Sequence, residues 1–170
     1  GVAGYYLDEP GIPAAFNDMV YTGDFTTKTL YYHPMKEAEA SYKSGQEIFG
    51  KYQAIDMEVD GSSNIFICDW KGGKYKYGGP NVGSVTLFKP SAYKAPKFPD
   101  LAKASTQQLI EAIVSKSAVL RINAQRKLLE KKSSAAVLQS LAAKAADENL
   151  HLYGRISALF TLKQLGAVEA

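Results

Sequence analysis

The chain has 170 residues, 46% of them hydrophobic and 22% charged, with a formal net charge of +3. That balance is ordinary for a globular protein and argues against disorder, and the charge is too small and too interspersed for a nucleic-acid partner. No apolar run is long enough to span a bilayer, and a single cysteine, Cys68, excludes a disulfide framework, a multi-cysteine zinc site and a CxxCH haem-attachment motif.

The sequence opens at Gly1 with no signal-peptide pattern, as a piece of a longer protein would. Residues 1–16 mix Gly, Pro and aromatics without a sustained period and read as an irregular segment. Residues 17–22 and 26–33 read as strands, rich in β-branched and aromatic side chains, with Gly23-Asp24 as the turn between them. His33-Pro34 closes the second strand. Residues 35–44 are polar enough for an exposed connection or a brief helical turn, and residues 46–49 suit a further short strand.

The β region is organised around residues 54–90, which predict three consecutive antiparallel strands. In residues 54–59, Ile55, Met57 and Val59 alternate with Asp56 and Glu58, the period-two pattern of a half-buried strand. Asp60-Gly61 supplies the expected positive φ of a tight hairpin. Residues 64–70 are a nearly continuous apolar run, and after a Gly- and Tyr-rich loop at 71–81 a third strand runs over 82–89 until Pro90. Such a row of strands is one blade of a β-propeller, or a corner of a sandwich or barrel.

Beyond Pro90 the character changes. Residues 91–104 form a connector containing Pro96 and Pro99, and four amphipathic helices follow. Ser105 caps the first, with Leu109, Ile110, Ile113 and Val114 on its apolar face. The second covers 117–132 with Val119, Leu120, Ala124, Leu128 and Leu129 inward. The third covers 134–146 through Val137, Leu138 and Leu141, and the fourth covers 150–165 before Gly166 as its C′ residue. The two helix pairs repeat. Arg121-Ile122-Asn123-Ala124 aligns with Arg155-Ile156-Ser157-Ala158, and Leu128 with Leu162, at an offset of 34 residues. An Arg and an Ala in this relation resemble the second helix of HEAT-type repeats.

The ordered segments AAFNDMVYTGDF, AIDMEVDGSSNIFICDW and NVGSVTLFKP, then the stretch from FPDLAKAS to LLEKK and LHLYGRISALFTLKQLG, resemble a family. It is the bacterial membrane-bound dehydrogenase proteins, in which a glucose/sorbosone-dehydrogenase-like propeller leads through a Pro-containing linker to HEAT-like repeats and commonly to a c-type cytochrome domain. The resemblance implies a β plus α architecture: a propeller-blade-like region at 1–90, a linker at 91–104 and HEAT-like helices at 105–170. It also implies an extracytoplasmic oxidoreductase of sugars or other alcohols, with pyrroloquinoline quinone and haem c in the parent protein and the remaining blades or subunits as partners. This chain holds about one blade and lacks a haem-binding motif, so it is not expected to catalyse alone. The alternative is a protein-binding or scaffolding module built from a β unit and helical repeats.

Propeller sites gather where loops converge at one mouth of the channel. The candidate cofactor-binding residues are therefore Asp69, Trp70, Lys71, Tyr75 and Tyr77, with Lys76 beside them. The aromatic faces would cover a quinone or sugar ring, a Lys would hold a carboxylate, and Asp69 would accept from hydroxyls or assist a hard cation. The alternative for Asp69-Trp70 is a strand-end aspartate beside a packed indole. Gly72-Gly73 and Gly78-Gly79 lack the strand-loop-helix setting of a phosphate loop. No catalytic residue and no metal site is assigned: His33 and His151 lie far apart, Asp56 and Glu58 face solvent, and Cys68 sits in an apolar strand. Arg121 and Arg155 are expected to satisfy helix-end carbonyls or pair with a carboxylate, and Arg126, Lys127, Glu130, Lys131 and Lys132 form a solvated face.

Overall fold

A computed structural model describes residues 3–70, 82–131 and 133–166. It contains nine strands and four helices, and the chain divides into two compact units, Gly1–Ala95 and Pro96–Ala170. The division falls inside the expected connector. Tyr93, just before it, packs against Gly11 of the β unit, whereas Leu101, just after it, belongs to the helical core.

In the β unit, strands β1 (Ala3–Leu7), β2 (Met19–Asp24), β3 (Thr29–His33) and β6 (Glu47–Gly50) form an antiparallel sheet in the order β1-β2-β3-β6. Strands β4 (Met35–Ala38) and β5 (Ser41–Ser44) make a separate hairpin. Strands β7 (Ala54–Val59), β8 (Ile65–Asp69) and β9 (Ser84–Phe88) make a third antiparallel sheet in chain order. Among the described residues the β unit thus holds nine antiparallel strands in three sheets, in keeping with the expected β region followed by helices.

Four local expectations change. The segment read as irregular contains β1, which pairs with β2 from Ala3↔Gly23 to Leu7↔Met19. Its inward residues Ala3 and Leu7 alternate properly, but Gly4 hides the pattern. Gly23-Asp24 is not the turn. Both residues end β2, and Gly23 lets the next sheet approach, because a Cβ there would lie 2.9 Å from the Ala54 carbonyl oxygen. The reversal comes one residue later, where the Asp24 carboxylate accepts from the Thr26 and Thr27 amides at 2.9 and 3.2 Å and Lys28 takes φ 53°.

The polar stretch 35–44 is the β4–β5 hairpin, turning at Glu39 with φ 57°. It carries no apolar alternation because almost all of its side chains are exposed. Finally, Ile55 faces outward, since a bulge between Ala54 and Asp56 shifts the β7–β8 register and turns that one residue over. The expected positive φ of the β7–β8 loop falls on Ser63 (64°), not on Gly61. Asp60 holds that loop, its Oδ1 accepting from the Ser62 and Asn64 amides, both at 2.9 Å.

Aromatic rings tie the β unit together. Phe16, Tyr21, Tyr32, Phe49, Tyr52 and Phe88 meet edge-to-face or tilted, with centroids 5.3–6.1 Å apart. Strand β7 runs beside β1, and the Tyr5 phenol hydrogen-bonds the Glu58 carboxylate. Burial first, and then the Glu58 charge, push the Tyr5 phenol up to about 12. A raised phenol pKa means that the neutral form is favoured in the folded state. That stabilisation is complete below the ordinary value near 10 and disappears as pH rises through about 12. Tyr5→Phe is therefore expected to flatten the fall in thermal midpoint across that window, measured on both proteins at stepped pH. An unchanged slope would assign the alkaline loss to other groups.

The helical unit comprises α1 (Thr106–Ile113), α2 (Ala118–Leu129), α3 (Ala135–Ala146) and α4 (Leu152–Gln164). Ser105 caps α1 in a reciprocal capping box with Gln108, Ser117 caps α2 and Ser134 caps α3. Gly166, at φ 75°, follows the end of α4. Helix α1 packs on α2, α3 on α4, and α2 on α4. The core is Leu101, Leu109, Ile110, Ile113, Ala124, Leu128, Val137, Leu141, Ala158 and Leu162. Ser105→Ala removes one hydroxyl acceptor and frees the Gln108 side chain, so we expect the helical melt to lose about 1 kcal/mol. A loss indistinguishable from zero would mean that tertiary packing alone fixes this end.

Candidate functional site

The candidate residues Asp69 and Trp70 stand where β8 leaves the third sheet. Asp69 is the last residue of β8, paired in register with Ala54 on one side and Ser84 on the other. The Trp70 amide continues the ladder for one step, donating to the Gln53 carbonyl at 3.1 Å. Lys71, Tyr75, Lys76 and Tyr77 lie outside the described residues.

The register places Ser84 directly opposite Asp69. Asp69 Oδ1, Ser84 Oγ and Gln53 Oε1 are each buried without a hydrogen-bond partner among the described residues. A buried acceptor with no donor costs about 1–3 kcal/mol, so such atoms mark places where a donor is needed. Ser84 escapes sequence reading, because only strand pairing carries it opposite Asp69.

Haem c attachment uses paired cysteines, and the sequence contains Cys68 alone.

Other candidates are accounted for by the fold. His33 has Nε2 2.8 Å from Thr22 Oγ1 and Nδ1 3.1 Å from the Gly45 carbonyl. His151 caps α4 by accepting from the Gly154 amide at Nδ1, while Nε2 lies 3.0 Å from the Val114 and Ser115 carbonyls. Both rings are committed at both nitrogens. Asp56 and Glu58 are exposed, Asp56 binding its neighbouring amide and Glu58 the Tyr5 phenol. Among the described residues, no three His, Cys, Asp or Glu side chains are placed to hold a metal ion. No described helix is long and apolar enough to cross a membrane.

A shallow groove of about 230 Å³ opens in the β unit between Ile12, Pro13, Phe16, Phe49, Phe88 and Pro90. Its wall is apolar, and Lys89 is its one charged lining residue.

The arginines serve the helix ends. Arg121 Nη1 donates to the Ser115 and Lys116 carbonyls, both at 2.9 Å, at the corner between α1 and α2. Arg155 Nε donates to the Ala145 carbonyl at 3.1 Å, at the end of α3. In the expected solvated face, Lys127 pairs with Glu130 at 2.8 Å, both exposed enough for screening to leave the pair little weight.

No protein-family model matches the sequence, and comparisons with curated proteins and with solved structures find no match.

Proposed function

We propose that this chain is a non-catalytic interaction module, a β unit and a set of HEAT-like helix pairs that complete a larger assembly. The observation that carries the reading is the outer face of the third sheet. Phe66 and Cys68 on β8 pair with Leu87 and Val85 on β9, and Val85 and Leu87 are 63% and 44% exposed. A sheet face of this composition, bounded by an edge strand with one neighbour, is a template for a further sheet or strand. The HEAT-like reading of the helices is supported by Arg121 and Arg155, which sit at equivalent places and bind carbonyls at the end of the preceding helix.

One observation favours a second reading, in which the assembly is an extracytoplasmic sugar or alcohol dehydrogenase. A four-stranded antiparallel sheet is followed directly by three consecutive antiparallel strands, the succession expected of neighbouring propeller blades. In that case the missing strands cover Val85 and Leu87, and the quinone and haem are held by other parts of the parent protein.

The test is hydrogen exchange on the chain within its native particle and after isolation. Slower exchange over β8 and β9 in the particle is the expected result. Equal exchange in both states would sink the module reading. Haem absorbance in the same particle, together with dye-linked oxidation of sugars, would select the dehydrogenase assembly over a purely structural one.

A further inference from the structure

We infer that the bare side of α4 is a stacking surface for one more helical hairpin, whose second helix packs on α4 as α4 packs on α2. The inference concerns the helical unit and is independent of what covers the third sheet.

The existing α2–α4 interface defines the geometry. Gln125 of α2 donates from Nε2 to Gln164 Oε1 of α4 at 3.0 Å, and the Arg121 guanidinium lies 5.8 Å from the centre of the Tyr153 ring. Residues 121 and 125, one turn apart, therefore face the following pair. The internal repeat moves this face forward by 34 residues, from Arg121 to Arg155 and from Gln125 to Leu159. Ala118, one turn before Arg121, becomes Leu152.

The composition of the two faces differs in a directed way. Where α2 meets α4 with Gln125, and carries Ala118 one turn before Arg121, α4 presents Leu159 and Leu152, which are 50% and 61% exposed. Ile156 and Phe160 beside them take the places of Ile122 and Arg126, which are exposed on α2 as well, so Leu152 and Leu159 carry the difference. On a helix whose opposite side is already buried through Gly154, Ala158, Thr161 and Leu162, a second apolar stripe has no role in the unit's own core. It falls where the repeat places its next neighbour.

The occupant follows from that geometry. It is a helical hairpin arriving by the same translation, with an aromatic side chain at the place equivalent to Tyr153 to take the Arg155 guanidinium.

The test extends the natural chain. Residues 133–166 are repeated from position 167 onward, which keeps the 34-residue period. The expected result is added helix by circular dichroism, a thermal midpoint of the helical transition raised by roughly 5 °C, and monomeric sedimentation. Leu159→Asp should abolish that gain in the extended protein and leave the natural chain's midpoint unchanged. Three results would overturn the inference: an added segment that stays unfolded, a Leu159→Asp effect equal in both proteins, or a natural chain that sediments as a dimer dissolved by Leu159→Asp. The last would assign the face to a second copy of the chain.

Discussion

Arg121→Met is expected to destabilise the helical unit by about 3 kcal/mol. The side chain is only 6% exposed, so its charge is held inside the fold. What makes that tolerable is its pair of 2.9 Å bonds to the Ser115 and Lys116 carbonyls and the nearby Tyr153 ring. Methionine keeps most of the apolar stem and its packing, so the loss comes from two carbonyls left without their donor. Arg155→Met is the internal control. That guanidinium is half-buried and donates from Nε to Ala145, and its removal should cost about half as much. Chemical denaturation followed by circular dichroism reads both. A larger loss for Arg155→Met would mean that burial does not set the hierarchy between the two repeats.

Gly23→Val in β2 is expected to remove about 2–3 kcal/mol from the β unit. The new Cβ alone would stand 2.9 Å from the Ala54 carbonyl oxygen, 3.0 Å from Ala3 Cβ and 3.3 Å from Ala54 Cβ. Two of these contacts are with β7, so relief requires backbone movement and not a side-chain rotation. The strand preference of valine is too small to compensate. Gly4→Ala in the adjoining strand separates crowding from a general intolerance of side chains, because a Cβ there meets nothing within 4 Å. That variant should be neutral or gain up to about 1 kcal/mol. If both substitutions destabilise equally, close approach at Gly23 is not the cause.

The helices were the most legible part of the sequence. Ser105, Ser117 and Ser134 each precede an apolar period, and each accepts the amide three residues on. The strands β7, β8 and β9 were legible from the alternation of β7, the apolar run of β8 and the residues before Pro90 in β9. Strands β4 and β5 were not, because a hairpin exposed on both faces writes no hydrophobic alternation. Strand β1 was obscured by Gly4, and Ile55 was assigned to the wrong face because a bulge is an event of pairing, invisible in one strand alone. The site divides in the same manner. Asp69 was readable as a strand-end carboxylate, whereas Ser84 becomes its neighbour only through the β8–β9 register.

Among the described residues, four non-glycine residues have left-handed backbone, Asp18, Lys28, Glu39 and Ser63, and they leave the protein room to improve. Each holds a Cβ against its own carbonyl at about 1–2 kcal/mol. Asp18 and Ser63 are tied to partners, the Tyr6 phenol and the Gly11 amide, and have reason to persist. Lys28 and Glu39 sit on exposed turns. Lys28→Gly should therefore raise the unfolding midpoint slightly, by less than about 1 kcal/mol once glycine's greater chain entropy is set against the relieved strain. A selection experiment for heat resistance would be expected to find those two turns before it touched the core. Evolvability in this small β unit lies at its corners.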